Sequence, residues 1–175
     1  MKFVIVLLGN PGNAYKHTRH NAARVLFENI KELPEEFEIL IPSTFMNESG
    51  LDVVKYLRYH ENVTLLVVYD DKDLEIGRMK LAYDRSDGGH NGLKSIITYL
   101  GRTDFLRLRI GIAPRGTDGK EVLPPHGDEV QKYVLETLRQ DERDTLDRLS
   151  ESLPDLLATL SKEGYQKAME IYNGK

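Results

Sequence analysis

Six consecutive apolar residues, Phe3-Val4-Ile5-Val6-Leu7-Leu8, run straight into Gly9-Asn10-Pro11-Gly12. A strand with one face in water alternates apolar and polar side chains, so a short unbroken apolar run describes a strand covered on both faces. Val63 to Tyr69 is a second such run. Between and after them, apolar residues recur at helical spacing: Ala23, Leu26, Phe27 and Ile30, then Val53, Val54 and Leu57, then Leu93, Ile96, Ile97 and Leu100. Buried strands alternating with one-sided helices predict an α/β layer structure, with helices packed on a largely parallel sheet.

Local signals place the boundaries. Thr18 suits an N-cap, which puts His20 in the first turn of the helix that follows. Glu38 to Ile41 reads as a short strand stopped by Pro42, and Ser49 with Asp52 resembles a capping pair for the next helix. Gly77 to Tyr83 reads as another strand, and Ser86 to Gly92 as a flexible approach to a helix. Leu106, Leu108, Ile110 and Ile112 alternate with Arg107, Arg109 and Gly111, which describes a half-buried strand whose outer face carries two arginines. Residues 114–128, rich in Gly, Pro and charge, form either a mobile lid or a plain surface loop. Residues 129–175 read as helical, with Pro154 in a first turn.

At 175 residues the chain is expected to form a single domain, residues 1–175. Without cysteine it has no disulfide framework, no thiolate metal site and no cysteine nucleophile. The first apolar run is too short for a signal-peptide core or a membrane span, so the setting expected is the cytoplasm. The net charge of −4 is unevenly spread: residues 1–76 carry 8 Lys/Arg and 12 Asp/Glu, residues 77–120 carry 9 and 4, and residues 121–175 carry 7 and 12. On charge alone, a phosphate-binding face in the middle third and ordinary surface scatter are equally open.

Asn10, His20, Asp70 and the pair His90-Asn91 all fall at the ends of expected elements. Side chains beyond the carboxyl ends of strands in open α/β sheets meet in the ligand crevice, so these groups are candidates for one site. His20 with Asp70 suits a dyad, in which a carboxylate favours the imidazolium formed when the ring takes a proton. Turn and cap chemistry accounts for each residue equally well when taken alone. A metal site of His17, His20, His90 and Asp70 lacks zinc-ligand spacing.

Five segments carry a likeness. Leu8-Gly-Asn-Pro-Gly12, Tyr15-x-x-Thr18-Arg-His20-Asn21, Pro42-Ser-Thr-Phe-Met-Asn47-Glu-Ser-Gly50, Asp70-x-x-Asp73-Leu74-x-x-Gly77 and Gly88-Gly-His-Asn-Gly-Leu-Lys94 stand in this order. Together with Arg107-Leu-Arg109-Ile-Gly111 and Tyr133-Val-Leu135, they resemble the signature blocks of bacterial peptidyl-tRNA hydrolases over nearly the whole chain. The resemblance implies a monomeric, cofactor-free and metal-free esterase built on a mixed central sheet flanked by helices. Its partner is peptidyl-tRNA, with no membrane partner. His20 then activates water, Asp70 orients it, and Asn10 helps distinguish N-blocked aminoacyl-tRNA from the unblocked kind. Tyr15, Phe45, Asn47 and Asn91 contact substrate. Arg78, Lys80, Arg102, Arg109, Arg115 and Lys120 are candidates for tRNA phosphate contacts. Phe45 and Met46 also suit core packing between strand and helix.

The chain departs from the pattern in four places, one of them an extended loop at 114–128. The stretch before Pro42 is shorter by about the length of a β-hairpin. Ala23 stands where glycine is usual, and Asp87 brings a carboxylate next to the expected path of phosphate or peptide.

Overall fold

The structure is a computed structural model and describes residues 1–116 and 123–174. Its sheet has five strands among the described residues: β1 (Lys2–Leu7), β2 (Phe37–Leu40), β3 (Val63–Glu75), β4 (Met79–Tyr83) and β5 (Leu106–Ala113). They lie in the order β2-β1-β3-β5-β4. All neighbours are parallel except β4 and β5. The result is the expected α/β domain with a mixed, mostly parallel sheet and helices on both faces.

Both apolar runs are covered on both sides, as their lack of alternation requires. Phe3, Ile5, Leu7, Leu66 and Val68 point to one layer, which holds α1 (Ala22–Phe27), α5 (Gln140–Ser150), α6 (Leu153–Glu163) and α7 (Tyr165–Tyr172). Val4, Val6, Leu65 and Val67 point to the other, with α2 (Ser49–Leu57) and α3 (Asn91–Leu100). A further helix, α4 (Glu129–Leu135), precedes α5.

Three local expectations are corrected. Ser49 and Asp52 form no capping pair: the Ser49 hydroxyl donates to Met46 O at 2.9 Å, while Asp52 accepts from the backbone N–H groups of Ser43 and Thr44. Asp52 therefore ties down the loop before the helix. The strand β5 has no exposed arginine face either. Arg107 is fully buried, with its guanidinium stacked 4.6 Å from the Phe105 ring centroid and donating to Arg85 O and Ser86 O. Alternation on β5 marks two kinds of buried contact, because carbonyls of the loop at 85–86 accept from both terminal guanidinium nitrogens, while Nε has no partner among the described residues. Phe45 is 51% exposed, and only Met46 of that pair is in the core.

Chain direction locates the site. The connection from β1 passes through α1 on one face, while α3, reached from β3 by way of β4, lies on the other, so the chain diverges beyond the carboxyl ends of β1 and β3. Such a divergence opens a crevice. Pairing with β1 ends at Leu7↔Val68, whereas β3 runs on for seven more residues. The part of β3 from Tyr69 onward therefore borders the crevice.

Candidate active site

The crevice is a cleft of about 620 Å³ lined by Asn10, Tyr15, His20, Asn47, Asp70 and Asn91, among others. That volume lies within the usual range for small-ligand sites. Strand alternation puts Asp70 on the same face as Leu66 and Val68, toward α1. There a 3-10 turn, Arg19–Asn21, carries His20. Thr18 sits at the N-cap of that turn in extended conformation, though its hydroxyl donates to Tyr15 O. His20 Nδ1 lies 2.9 Å from both Asp70 oxygens.

A third residue completes the group. His90 Nε2 is 2.9 Å from Asp70 Oδ1, and His90 Nδ1 accepts from Gly92 N–H and Leu93 N–H at the start of α3. An acceptor at Nδ1 means that the proton of a neutral His90 is on Nε2, where it donates to Asp70. Gly92 is required beside it, because an added Cβ stands 2.6 Å from Met46 Sδ and 2.8 Å from Leu8 Cδ1.

Asp70 is buried, which alone raises its pKa, yet the charges and hydrogen bonds of His20 and His90 outweigh burial and hold it well below the usual carboxylate range. Burial pulls the His20 imidazole down. The Asp70 charge and hydrogen bond overcome that pull, so His20 stands above the ordinary histidine value. With Nδ1 facing Asp70, His20 Nε2 has no protein hydrogen bond among the described residues. A neutral His20 thus presents a lone pair to the cleft.

Asn10 is locked by its neighbours. Its backbone N–H donates to Asn21 Oδ1 at 2.8 Å, and Asn21 Nδ2 returns a bond to Asn10 O at 2.9 Å. Asn10 Oδ1 accepts from Met46 N–H at 2.8 Å, which fixes the amide orientation. Its Nδ2 has no protein acceptor among the described residues. Arg24 pins the same loop by donating to Gly9 O, Asn10 O and Pro42 O. Asn47 and Asn91 are exposed in the cleft wall. Tyr15 meets Phe45 edge-on, with ring centroids 6.1 Å apart.

The phosphate candidates scatter. Arg109 lines the cleft but is bound to Asp71, Nε to Oδ2, at 2.6 Å. Lys80 and Arg102 do not line it; Lys80 pairs with Arg109 across β4 and β5, and Arg102 bonds Asp104. Arg115 and Arg78 line a different cleft. Lys120, within the stretch expected as a lid, lies outside the described residues, while Gly127 and Asp128 from the same stretch line the cleft. Asp87 lines the cleft as well and accepts from Gly89 N–H.

His20, Asp70 and His90 also bring three metal-competent atoms within 4.8 Å of one another. His17 is not among them, being 3.9 Å from Glu28. The sequence places His90 among the candidates for the site but not in the dyad, and it gives no role to Asn21 or Arg24. His90 and Asn21 stood inside the recognised blocks, whereas no local signal marked Arg24.

The family model described as peptidyl-tRNA hydrolase matches residues 26–175, a span that begins after Asn10, Tyr15 and His20. Curated relatives match nearly the whole chain. A peptidyl-tRNA hydrolase from Geotalea daltonii is 36% identical over 194 residues, covering 98% of this chain and 96% of that protein. One from Pseudothermotoga lettingae is 35% identical over 188 residues, covering 97% and 96%. The solved structure of peptidyl-tRNA hydrolase from Acinetobacter baumannii superposes with a TM-score of 0.77 at 27% identity, covering 97% of this chain and 93% of that one.

Proposed function

Because the chain belongs to the peptidyl-tRNA hydrolase family, we propose that it cleaves the ester between peptide and tRNA with water activated by His20 and oriented through Asp70. The observation that carries this reading is the contact of His20 Nδ1 with both Asp70 oxygens, which leaves Nε2 toward the cleft. In the first step Nε2 takes a proton from water as the water oxygen attacks the ester carbonyl. The imidazolium is stabilised by the Asp70 carboxylate and then gives its proton to the departing ribose oxygen. An ester leaving group needs no stronger acid. General-base assistance of this kind contributes typically about 10²–10⁴-fold.

Asn10 Nδ2, Asn47 and Asn91 supply neutral amides that donate to carbonyl oxygens and accept from N–H groups. Such groups suit a peptide of any sequence, and a free ammonium in place of the first amide leaves them mismatched. The Tyr15–Phe45 pair gives an apolar edge for substrate. The substrate that family membership implies is peptidyl-tRNA, and no described helix is long and apolar enough to cross a membrane. We assign the activity to the cytoplasm, where such substrates arise.

The test is release of N-acetylated amino acid from tRNA, compared with unblocked aminoacyl-tRNA, by the native protein and His20→Ala. Loss of acetylated-substrate cleavage in the variant is expected. Equal rates refute the assignment. The three-atom grouping of His20, Asp70 and His90 gives a second reading, in which these residues would hold a metal ion that would make its bound water more acidic. Chelation separates the two.

A further inference from the structure

A polyanionic substrate needs cations, and those of the catalytic cleft are committed. Lys72 Nζ lies 2.6 Å from Asp73 Oδ1, and Arg109 Nε lies 2.6 Å from Asp71 Oδ2. Asp70, Asp87 and Asp128 add negative charge to the same wall. Among the described residues, this cleft has no unpaired cation to offer a phosphate.

A second cleft, of about 420 Å³, adjoins it and is lined by Arg78, Arg115 and Arg148 with Glu75 as its one carboxylate. The two clefts share β3: Asp73 borders the first and Glu75 the second. Two residues of extended chain span at most about 7 Å, and the five from Asp70 to Glu75 at most about 18 Å. The turn after β3 depends on Gly77 at φ 87°, where Thr145 Cγ2 stands 2.8 Å from the place of a Cβ. That close approach brings α5 against the turn. Arg148, one helical turn beyond Thr145, is thereby presented beside Arg78.

The charges here are largely free. Arg115 Nε pairs with Glu75 at 3.2 Å. Arg148 Nη2 donates only to the neutral Thr145 hydroxyl, and the Arg78 side chain has no partner among the described residues. Two guanidinium groups with no carboxylate partner among the described residues, lining one hollow with Glu75 and Arg115, match the geometry of a phosphate oxygen set.

We propose that the Arg78–Arg115–Arg148 cleft binds RNA backbone phosphates of the substrate beyond its CCA end, with Arg78 and Arg148 as the contacts. This rests on the hydrolase reading and adds a second anchor to it. It also explains how an acidic chain with an acidic catalytic cleft holds tRNA: affinity comes from a neighbouring hollow whose arginines are contributed by the β3–β4 turn, the end of β5 and α5. Phosphate contacts of this kind position the substrate without reading its sequence.

The experiment compares the native protein with the double variant Arg78→Gln/Arg148→Gln on two substrates, N-acetylaminoacyl-tRNA and the same N-acetylaminoacyl ester on a CCA trinucleotide. For full-length tRNA, KM is expected to rise roughly tenfold with kcat unchanged. The dependence of log(kcat/KM) on log salt becomes shallower by about 1 per arginine removed. Cleavage of the trinucleotide ester is expected to stay at the native rate, which shows that the catalytic cleft is intact. An unchanged KM and salt slope on tRNA overturn the proposal while leaving the hydrolase reading in place. Equal losses on both substrates overturn it too, since the arginines then act on the catalytic cleft. Calorimetric binding of inorganic phosphate to the native protein alone, with no change in the KM for tRNA, assigns the hollow to a free anion and likewise overturns it. Failure of the native protein on both substrates removes the hydrolase reading itself.

Discussion

Asp70→Asn tests the proposed chemistry most sharply, because it keeps the shape of the side chain and changes only charge and hydrogen-bond polarity. Asp70 accepts from both sides: His90 Nε2 reaches Oδ1, and His20 Nδ1 lies between Oδ1 and Oδ2, each at 2.9 Å. An asparagine has one acceptor and one donor group at these positions. His90 cannot adjust, since its Nδ1 is held as acceptor by Gly92 N–H and Leu93 N–H. The amide oxygen therefore goes to His90, and the NH₂ group faces His20 Nδ1. His20 must then accept at Nδ1 and carry its proton on Nε2, the nitrogen that has to take a proton from water. General-base assistance is typically worth about 10²–10⁴-fold, and losing it raises the barrier by about 3–5 kcal/mol. The expected kcat for N-acetylaminoacyl-tRNA falls by that factor with KM little changed, because the buried Asp70 carboxylate bonds His20 and His90 and acts through His20.

The pH profile gives an independent readout of the same variant. Neutral His20 is the active form, so activity is lost as pH falls through its pKa. In the native protein Asp70 keeps that pKa above the ordinary 6.5. Without the carboxylate only burial remains, and the residual acid limb moves to lower pH. A variant within about threefold of native kcat, or an acid limb that stays in place or moves upward, refutes the tautomer argument.

Three further outcomes follow from the geometry. Asn10→Ala leaves the buried Met46 N–H without its acceptor, so a stability loss of about 1–3 kcal/mol is expected in urea denaturation, together with a fall in the kcat/KM ratio of acetylated over unblocked aminoacyl-tRNA; an unchanged ratio removes Asn10 from substrate discrimination. Arg19→Leu strands Glu142, which shares a buried ion pair with Arg19 at side-chain exposures of 5% and 2%. The expected cost is about 3 kcal/mol, at the low end for such pairs because Glu142 still accepts from Arg139 N–H, and a loss below about 1 kcal/mol in the denaturation midpoint contradicts it. Dialysis against a strong chelator is expected to leave hydrolysis of acetylated substrate unchanged, whereas loss restored by a divalent metal moves the water to an ion held by His20, Asp70 and His90.

The strands, most helices and the polar candidates at their ends are legible in local sequence. Unbroken apolar runs such as Phe3–Leu8 report burial on both faces wherever they occur, and helical spacing at Leu93, Ile96 and Ile97 reports one buried face. These signals depend on a few neighbouring residues and the water they avoid. His20 and Asp70 became legible together through ordered blocks of residues, since spacing alone left turn and cap chemistry open.

Which polar groups meet is set by how the elements pack. His20 and Asp70 are 50 positions apart, and His90 reaches Asp70 from the opposite face of the sheet, so no local period connects the three. Arg107 illustrates the limit in the other direction: alternation on β5 suggested an outer face, yet the loop at 85–86 folds over it and its carbonyls make burial of the charge possible. The hollow formed by Arg78, Arg115 and Arg148 has the same origin, because α5 lies against the Gly77 turn only once the helical layer has packed. Periodicity tells a residue whether it is buried. Its partner is set by how separate elements are brought together, and hydrogen bonds and charges, acting over only a few ångströms, depend on that arrangement.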